Sequence, residues 1–264
     1  MSLSDGVKFI QVSDSHLFGD ANKQLIGVNT DASLRAIVAL AAKEKNVTGI
    51  LATGDLSQDS SLESYQRFVE ILSDLKLPIY WLPGNHDNAR YFHEPAKNFP
   101  LSSRSIIETG NWRILLLDSV IPGEESGRLA ATELDYIKKN VHEDGKHHLL
   151  VLHHQPLPCG SAWLDTMKLD NSNEFLRVIA GKPSIRAVLY GHIHQAGQKE
   201  VFGTQFISTP STCFQFTPGT ADFTLDTRLP GYRRLILLDD GVIETEVVRL
   251  TDFDLNLDDK VDGY

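Results

Sequence analysis

The chain has 264 residues, 41% apolar and 23% charged, the proportions of a soluble globular protein of one large or two small domains. Its 25 Lys and Arg against 35 Asp and Glu give a formal charge of −10 with no basic stripe, so a polynucleotide partner is not expected. No apolar run approaches the ~18 residues of a membrane span. No secretory signal precedes the first strand-like run, and Cys159 and Cys213 have neither disulfide-framework nor metal spacing. A cytoplasmic protein without membrane contact is expected.

In chain order, Val7 to Ser13 reads as a strand running into Asp14-Ser-His16. Residues i and i+2 of an extended chain share a face, which would aim Asp14 and His16 at one point. Asp31 to Lys45 has apolar residues at helical spacing (Leu34, Ile37, Val38, Ala41). Gly49 to Thr53 is a short buried strand delivered into Gly54-Asp55. Ser60 and Glu63 stand at capping-box spacing and open a helix that reaches about Leu75. Leu77 to Leu82 is a third strand, ending at Gly84-Asn85-His86-Asp87, where Gly84 allows a tight turn.

The alternation continues with a strand at Trp112–Leu117, a helix at Thr132–Val141, and a strand at His147–Leu152 that ends in His153-His154. A weaker helix spans Asn173 to Ala180, and the strand Ile185–Tyr190 ends in Gly191-His192-Ile-His194. Beyond that the pattern is all β, with a hairpin at Asp239-Asp240-Gly241. The acidic stretch 251–264 reads as a solvated tail. Strands alternating with helices predict a layered α/β fold. Residues 1–264 are expected to form one domain, with a core over about 7–195, a β-rich part over about 196–250, and the tail.

Five strand ends thus carry polar groups, and six of the ten histidines sit there. Imidazole, carboxylate and amide oxygen without thiolate suit Zn, Mn, Fe or Co, and the number of candidates suits two ions. Two such ions can clamp an in-line displacement, and phosphate ester hydrolysis is its natural use.

The ordered set Asp14-x-His16, Gly54-Asp55, Gly84-Asn85-His86-Asp87, His153 and Gly191-His192-x-His194 resembles the calcineurin-like metallophosphoesterase family. The resemblance implies a four-layer α/β/β/α sandwich carrying a dinuclear site, with a β-rich C-terminal cap. It places Asp14, His16 and His194 on one metal, Asn85, His153 and His192 on the other, and Asp55 between them. Whether His153 or His154 is the ligand stays open, since adjacent strand residues face opposite ways. His86 is then a catalytic group facing the phosphate, with Asp87 either orienting its ring or serving the turn. His16, Asp55, Asn85 and His194 join His86 as residues at the substrate. Asp55 is followed by Leu-Ser-Gln-Asp59, without the Tyr that purple acid phosphatases place three positions on, so tyrosinate-ligated ferric iron is not expected.

Within the family the chain looks closest to bacterial class III 3′,5′-cyclic AMP phosphodiesterases. The supporting stretches are Gln11–Phe18, Leu25–Asn29, Ala52–Gln58, His153–Pro158, Ser208–Phe216, Asp222–Asp226 and Pro230–Tyr232. The implied reaction is hydrolysis of cyclic AMP to 5′-AMP by a metal-activated hydroxide attacking phosphorus. Two divalent or mixed-valence ions are implied, Fe or Mn by preference, with Zn or Co as alternatives. Phe214, Phe216, Phe223 and Tyr232 offer stacking faces for a purine or pack a β layer. Cyclic GMP or a glycerophosphodiester are alternative substrates, and a non-catalytic scaffold of the same fold is a further alternative. The oligomeric state is left open, a homodimer through the β-rich part being one arrangement.

Overall fold

A computed structural model describes residues 6–93, 105–258, 260, 261 and 263. The first five residues, which bear on the secretory-signal reading, lie outside the described residues. Two sheets face each other. The first is ordered Ile243–Arg249, Gly231–Leu237, Val7–Val12, Val47–Thr53, Ile79–Leu82, the last three running parallel. The second is ordered Gly197–Val201, Thr204–Ser208, Ile185–Tyr190, His147–Val151, Trp112–Leu116, Ile106–Thr109, with four parallel strands between antiparallel edges.

Successive side chains of these strands serve different cores. Ile10, Ile50 and Trp81 face the helices Thr30–Ala41 and Leu62–Ser73, while Phe9, Leu51 and Leu82 face Ile114, Leu149 and Leu189 of the other sheet. Leu115, Leu150 and Val188 face the helices Ala131–Asn140 and Ser172–Ile179. Three apolar layers therefore lie between four structural ones, which is the expected α/β/β/α sandwich. Strands buried on both faces read as largely apolar runs, broken here by residues such as Gln11, Arg113 and Arg186.

The β-rich C-terminal part mostly completes the sheets. Gly231–Leu237 pairs antiparallel with Val7–Val12, and Thr204–Ser208 pairs parallel with Ile185–Tyr190. Only the short pair Gln215–Phe216 and Leu225–Asp226 stands apart from both sheets in this region. Tyr232, expected among the cap aromatics, is buried in the first sheet's outer core and donates to Glu44.

Two local expectations are corrected. The second helix is capped by Ser61, whose Oγ accepts from the Ser64 N–H at 3.2 Å. Ser60 instead takes φ 54° and donates to the His86 carbonyl at 2.7 Å. The tail is not a free acidic strand either: Phe253, Leu255, Leu257 and Val261 pack against the core, and the Asp258 N–H donates to the Ile26 carbonyl. Average composition hid an alternation in which apolar residues turn inward and Asp252, Asp254 and Asp258 outward.

Candidate dinuclear metal centre

Loops from the carboxyl ends of both sheets meet at one place. Asp14 accepts from the His192 N–H at 3.1 Å, Gly191 donates to the His153 carbonyl, and Asp14 and His16 donate to the carbonyls of Gly54 and Asp55. The expected convergence of Asp14 with His16 occurs, but not through an extended strand. The strand stops at Val12, and Asp14 and His16 are both left-handed, at φ 55° and 48°. Asp55 (51°), His192 (67°) and His194 (47°) share that conformation. It costs a residue bearing a Cβ about 1–2 kcal/mol, so the interlocked loops hold five side chains in strained backbone.

The strain aims lone pairs at one another. His16 Nδ1 lies 2.7 Å from Gln58 Oε1, His194 Nδ1 lies 2.9 Å from the Phe214 carbonyl, and His153 Nδ1 lies 2.8 Å from the Thr53 carbonyl. A carbonyl oxygen only accepts, so these Nδ1 atoms carry hydrogens and the Nε2 atoms are the ones turned toward the site. His16 Nε2 and His194 Nε2 then stand 3.2 Å apart, and His194 Nε2 is 3.5 Å from Asp14 Oδ1. His153 Nε2 faces Asn85 Oδ1 at 3.2 Å, His192 Nδ1 at 3.2 Å and Asp55 Oδ2 at 3.3 Å. The Nε2 of His192 is buried without a hydrogen-bond partner among the described residues. Ring nitrogens and carboxylate oxygens crowded together in a buried site fit cations, and they form overlapping groups: Asp14, His16 and His194; His153, His154 and His192; and Asp55 with His16 and His86 or with Asp14 and His153.

The electrostatics agree. Burial pushes His16 down to about 3 against the opposing pull of Asp55, and burial with His153 alongside holds His192 well below the usual range. Both rings are neutral and ready to donate lone pairs. Burial also opposes a charge on His153, but Asp55, its hydrogen bond and Asp14 outweigh it and raise this ring to about 9. Asp55 resists burial through His153, His86 and His16, which carry its carboxyl well below the normal value. A proton shared around His153 thus occupies the charge that a cation would supply.

In the tetrad, the Asn85 oxygen joins the His153 set, while the His86 ring crosses the His16 ring edge-on with centroids 5.1 Å apart. The His86 N–H donates to Asp55 Oδ1 at 3.0 Å. Asp87 braces the turn. Its carboxylate accepts from the N–H groups of Leu56, Ser57 and Gly84 and from the Tyr65 hydroxyl, which ties the tetrad to the Asp55 loop. Burial and the neighbouring Asp55 push it up to about 7, against the pull of those backbone donors. Gly84 is needed for proximity rather than for a left-handed turn: a Cβ there would lie 2.1 Å from Asp55 Oδ1 and 2.4 Å from the Asp55 nitrogen.

A cavity opens at the donors. Asn85, His86, Glu125 and His192 line it together with Trp163, Phe216 and Phe223, and the Phe216 ring stacks on His194 at 4.5 Å. His16, Asp55 and His194, expected at the substrate, are buried to 1% exposure or less and do not line it, so bound ions would have to link them to a ligand. Phe214 sits one layer back, its ring centroid 4.9 Å from that of His194. His153 rather than His154 meets Asp55 and Asn85; His154 Nδ1 pairs with Ser119 Oγ at 2.8 Å. Sequence reasoning missed Gln58, which occupies the position three after Asp55 and steadies His16. It also missed Trp163, whose one signal is a large aromatic in the short turn Ala162–Asp165.

Two outcomes follow from this geometry. Gly84→Ala should displace Asp55 and cut metal-dependent activity by about 100-fold, because ~1 Å misplacement has that effect; near-normal turnover would refute the close-approach argument. Filling the site near pH 7.5 should release a proton, since His153 must shed the one it holds below about 9. Calorimetry in buffers of different ionisation heat measures it, and no release near neutrality would contradict the assigned proton.

Residues 7–196 match the model of the calcineurin-like phosphoesterase family. The chain is 41% identical over 260 residues to the 3′,5′-cyclic adenosine monophosphate phosphodiesterase CpdA of Pseudomonas aeruginosa, covering 98% of this chain and 95% of that one. It is 40% identical over 261 residues, with the same coverage, to the protein of that name in Escherichia coli K12. Among solved structures, a dimetal phosphatase from Danio rerio aligns with a TM-score of 0.63 at 15% identity, covering 93% of this chain and 99% of the other. A purple acid phosphatase from yellow lupin aligns at 0.67 and 12% identity, covering 94% of this chain and 52% of that one. These two show the shared fold. With a family match over most of its length and full-length relatives at this identity, the chain belongs to the calcineurin-like phosphoesterase family, whose members use a dinuclear metal site.

Proposed function

We propose that the protein hydrolyses 3′,5′-cyclic AMP to 5′-AMP. The observation that carries this reading is a cavity whose lining brings His192, His86 and Asn85 of the donor cluster together with the rings of Trp163, Phe216 and Phe223. Relatives alike over nearly their full length and named as cyclic AMP phosphodiesterases support it. Asp14, His16 and His194 would hold one cation, Asn85, His153 and His192 the other, with Asp55 shared. Iron or manganese suits a set of nitrogen and oxygen donors without thiolate. Cations held there supply charge neutralisation at the phosphate and a water of lowered pKa.

The chain's own groups complete the chemistry. His86 is half-buried, reaches the cavity, and has its backbone fixed by Asp55 and Ser60. It is placed to give a proton to the departing 3′ oxygen. Trp163, Phe216 and Phe223 offer the base a stacking surface worth about 1–3 kcal/mol. No helix among the described residues is long and apolar enough to cross a membrane, and both cysteines are free thiols, which suits a reducing cytoplasm. We read residues 1–264 as one domain, since the strand Gly231–Leu237 is hydrogen-bonded to Val7–Val12.

Purified protein stripped of metal and refilled with Mn, Fe or Zn should turn over cyclic AMP faster than cyclic GMP or a glycerophosphodiester, and Asp55→Ala should abolish the activity. Turnover that survives Asp55→Ala in stripped protein would sink the proposal. His86→Ala should slow cyclic AMP hydrolysis by about 10²–10⁴-fold. It should slow bis(p-nitrophenyl) phosphate far less, because nitrophenolate leaves without a proton. Equal losses on both substrates would remove His86 from the proton-donor role.

A further inference from the structure

Four imidazoles carry the proposed cation sites, and three of them are held by the nitrogen that faces away. His16, His153 and His194 each set Nδ1 within 2.9 Å of an acceptor, which is Gln58 Oε1, the Thr53 carbonyl and the Phe214 carbonyl in turn. His192 has no such anchor. Asp14 holds its main-chain N–H, but its Nδ1 lies 3.2 Å from His153 Nε2. Its Nε2 is buried without a hydrogen-bond partner among the described residues. Ring packing stands in for the missing bond. The His154 ring lies against that of His192 with centroids 4.7 Å apart and planes at 51°, and the His153 ring meets it edge-on at 5.0 Å. His154 is fully buried and is itself fixed twice by one side chain. Ser119 Oγ accepts from its main-chain N–H at 3.3 Å and lies 2.8 Å from its Nδ1. The main chain of Gly127 also closes on the ring, since a Cβ there would lie 2.3 Å from His154 Cγ and 2.4 Å from its Nδ1. Bridges to Val120 and Leu169 pin Gly127 in turn.

We propose that His154 is the positioning residue for the His192 ring, and that through it the chain sets the affinity of one cation of the pair. This rests on reading His192 as a donor within a dinuclear site. A ligating imidazole is oriented by whatever holds its other side, usually a hydrogen bond to the second nitrogen. For His192 that hold is a neighbouring ring in contact, which in a close-packed interior restricts rotation of the imidazole. Ser119 and Gly127 keep His154 from yielding, so the restraint passes from the Ser119 hydroxyl through one ring to the next. Gln58 and the Phe214 carbonyl, which support His16 and His194, lie on other loops. The effect of His154 is therefore confined to the ion that Asn85, His153 and His192 would hold.

The test titrates metal-stripped protein with Mn(II), measuring the affinity of each ion and the electron paramagnetic resonance spectrum, which separates an exchange-coupled pair from a lone ion. In His154→Ala one ion should weaken about 10–100-fold while the other stays within about twofold. At intermediate Mn(II) the spectrum should then pass from a coupled pair to a lone ion. Ser119→Ala keeps every ring but releases His154, and should weaken the same ion by about tenfold, the lower end of that range. It also keeps the test decisive if His154→Ala unfolds the protein. Both affinities within about twofold of the unaltered protein, or parallel loss of both ions, would overturn the proposal. So would a loss in His154→Ala that Ser119→Ala does not share, because His154 would then be a ligand itself, its nitrogen lying within 4.8 Å of those of His153 and His192. Unaltered protein that never takes up a second ion would fell the dinuclear reading, whereas two ions bound equally well in all three proteins would fell this proposal alone.

Discussion

Bare ring nitrogens and carboxylate oxygens, buried and pointed at one another, are the condition on which this structure turns. The approach of His16 Nε2 to His194 Nε2 at 3.2 Å, and of His194 Nε2 to Asp14 Oδ1 at 3.5 Å, is unfavourable unless positive charge lies among them. The fold enforces the crowding from behind. Gln58 Oε1 and the carbonyls of Thr53 and Phe214 occupy the far nitrogens of three rings and leave each ring one way to face. A protonated His153 is the metal-free compromise, and it is a poor match for a cluster that offers two sets of donors.

The architecture serves that condition. Two sheets buried on both faces bring the ends of parallel strands from opposite halves of the chain to one seam, and the connecting loops hydrogen-bond to one another there. Asp87 takes part in this framework. By accepting from Leu56, Ser57 and Gly84 it locks two adjacent loops together, which frees Asn85 and His86 to face the cavity. The tetrad thus divides into residues that hold and residues that present.

Much of this was legible in the sequence because it rests on local pattern. Mostly apolar runs ending in Asp14-Ser-His16 or Gly191-His192-Ile-His194 mark both strands and donors, since polar groups cluster where a strand buried on two faces ends. What stayed hidden depends on partners distant in sequence. The capping-box spacing at Ser60 was formally correct, but the His86 carbonyl claims that side chain and the cap passes to Ser61. Tyr232 could not be told from Phe216 by composition, because which face of a strand looks toward the site is decided by register with Val7–Val12. The role of Asp87 in bracing the turn rests on three backbone N–H groups from two loops, which no local pattern shows. The tail was misjudged because averaging its charge erased an alternation of period two.

The seam has a mechanical consequence. Asp14 and His194 lie 180 positions apart in the chain, and Asp55 and His153 nearly 100, yet each pair meets around the same small space. Cations held there would act as rivets between the two sheets, closing loops as long as most of the molecule. Cross-links of that span withdraw entropy from the unfolded chain, as long disulfide loops are argued to do, but they can be removed by a chelator. Metal content would then govern how long the protein survives heat and proteases as well as how fast it works, joining its lifetime in the cell to the supply of its ions.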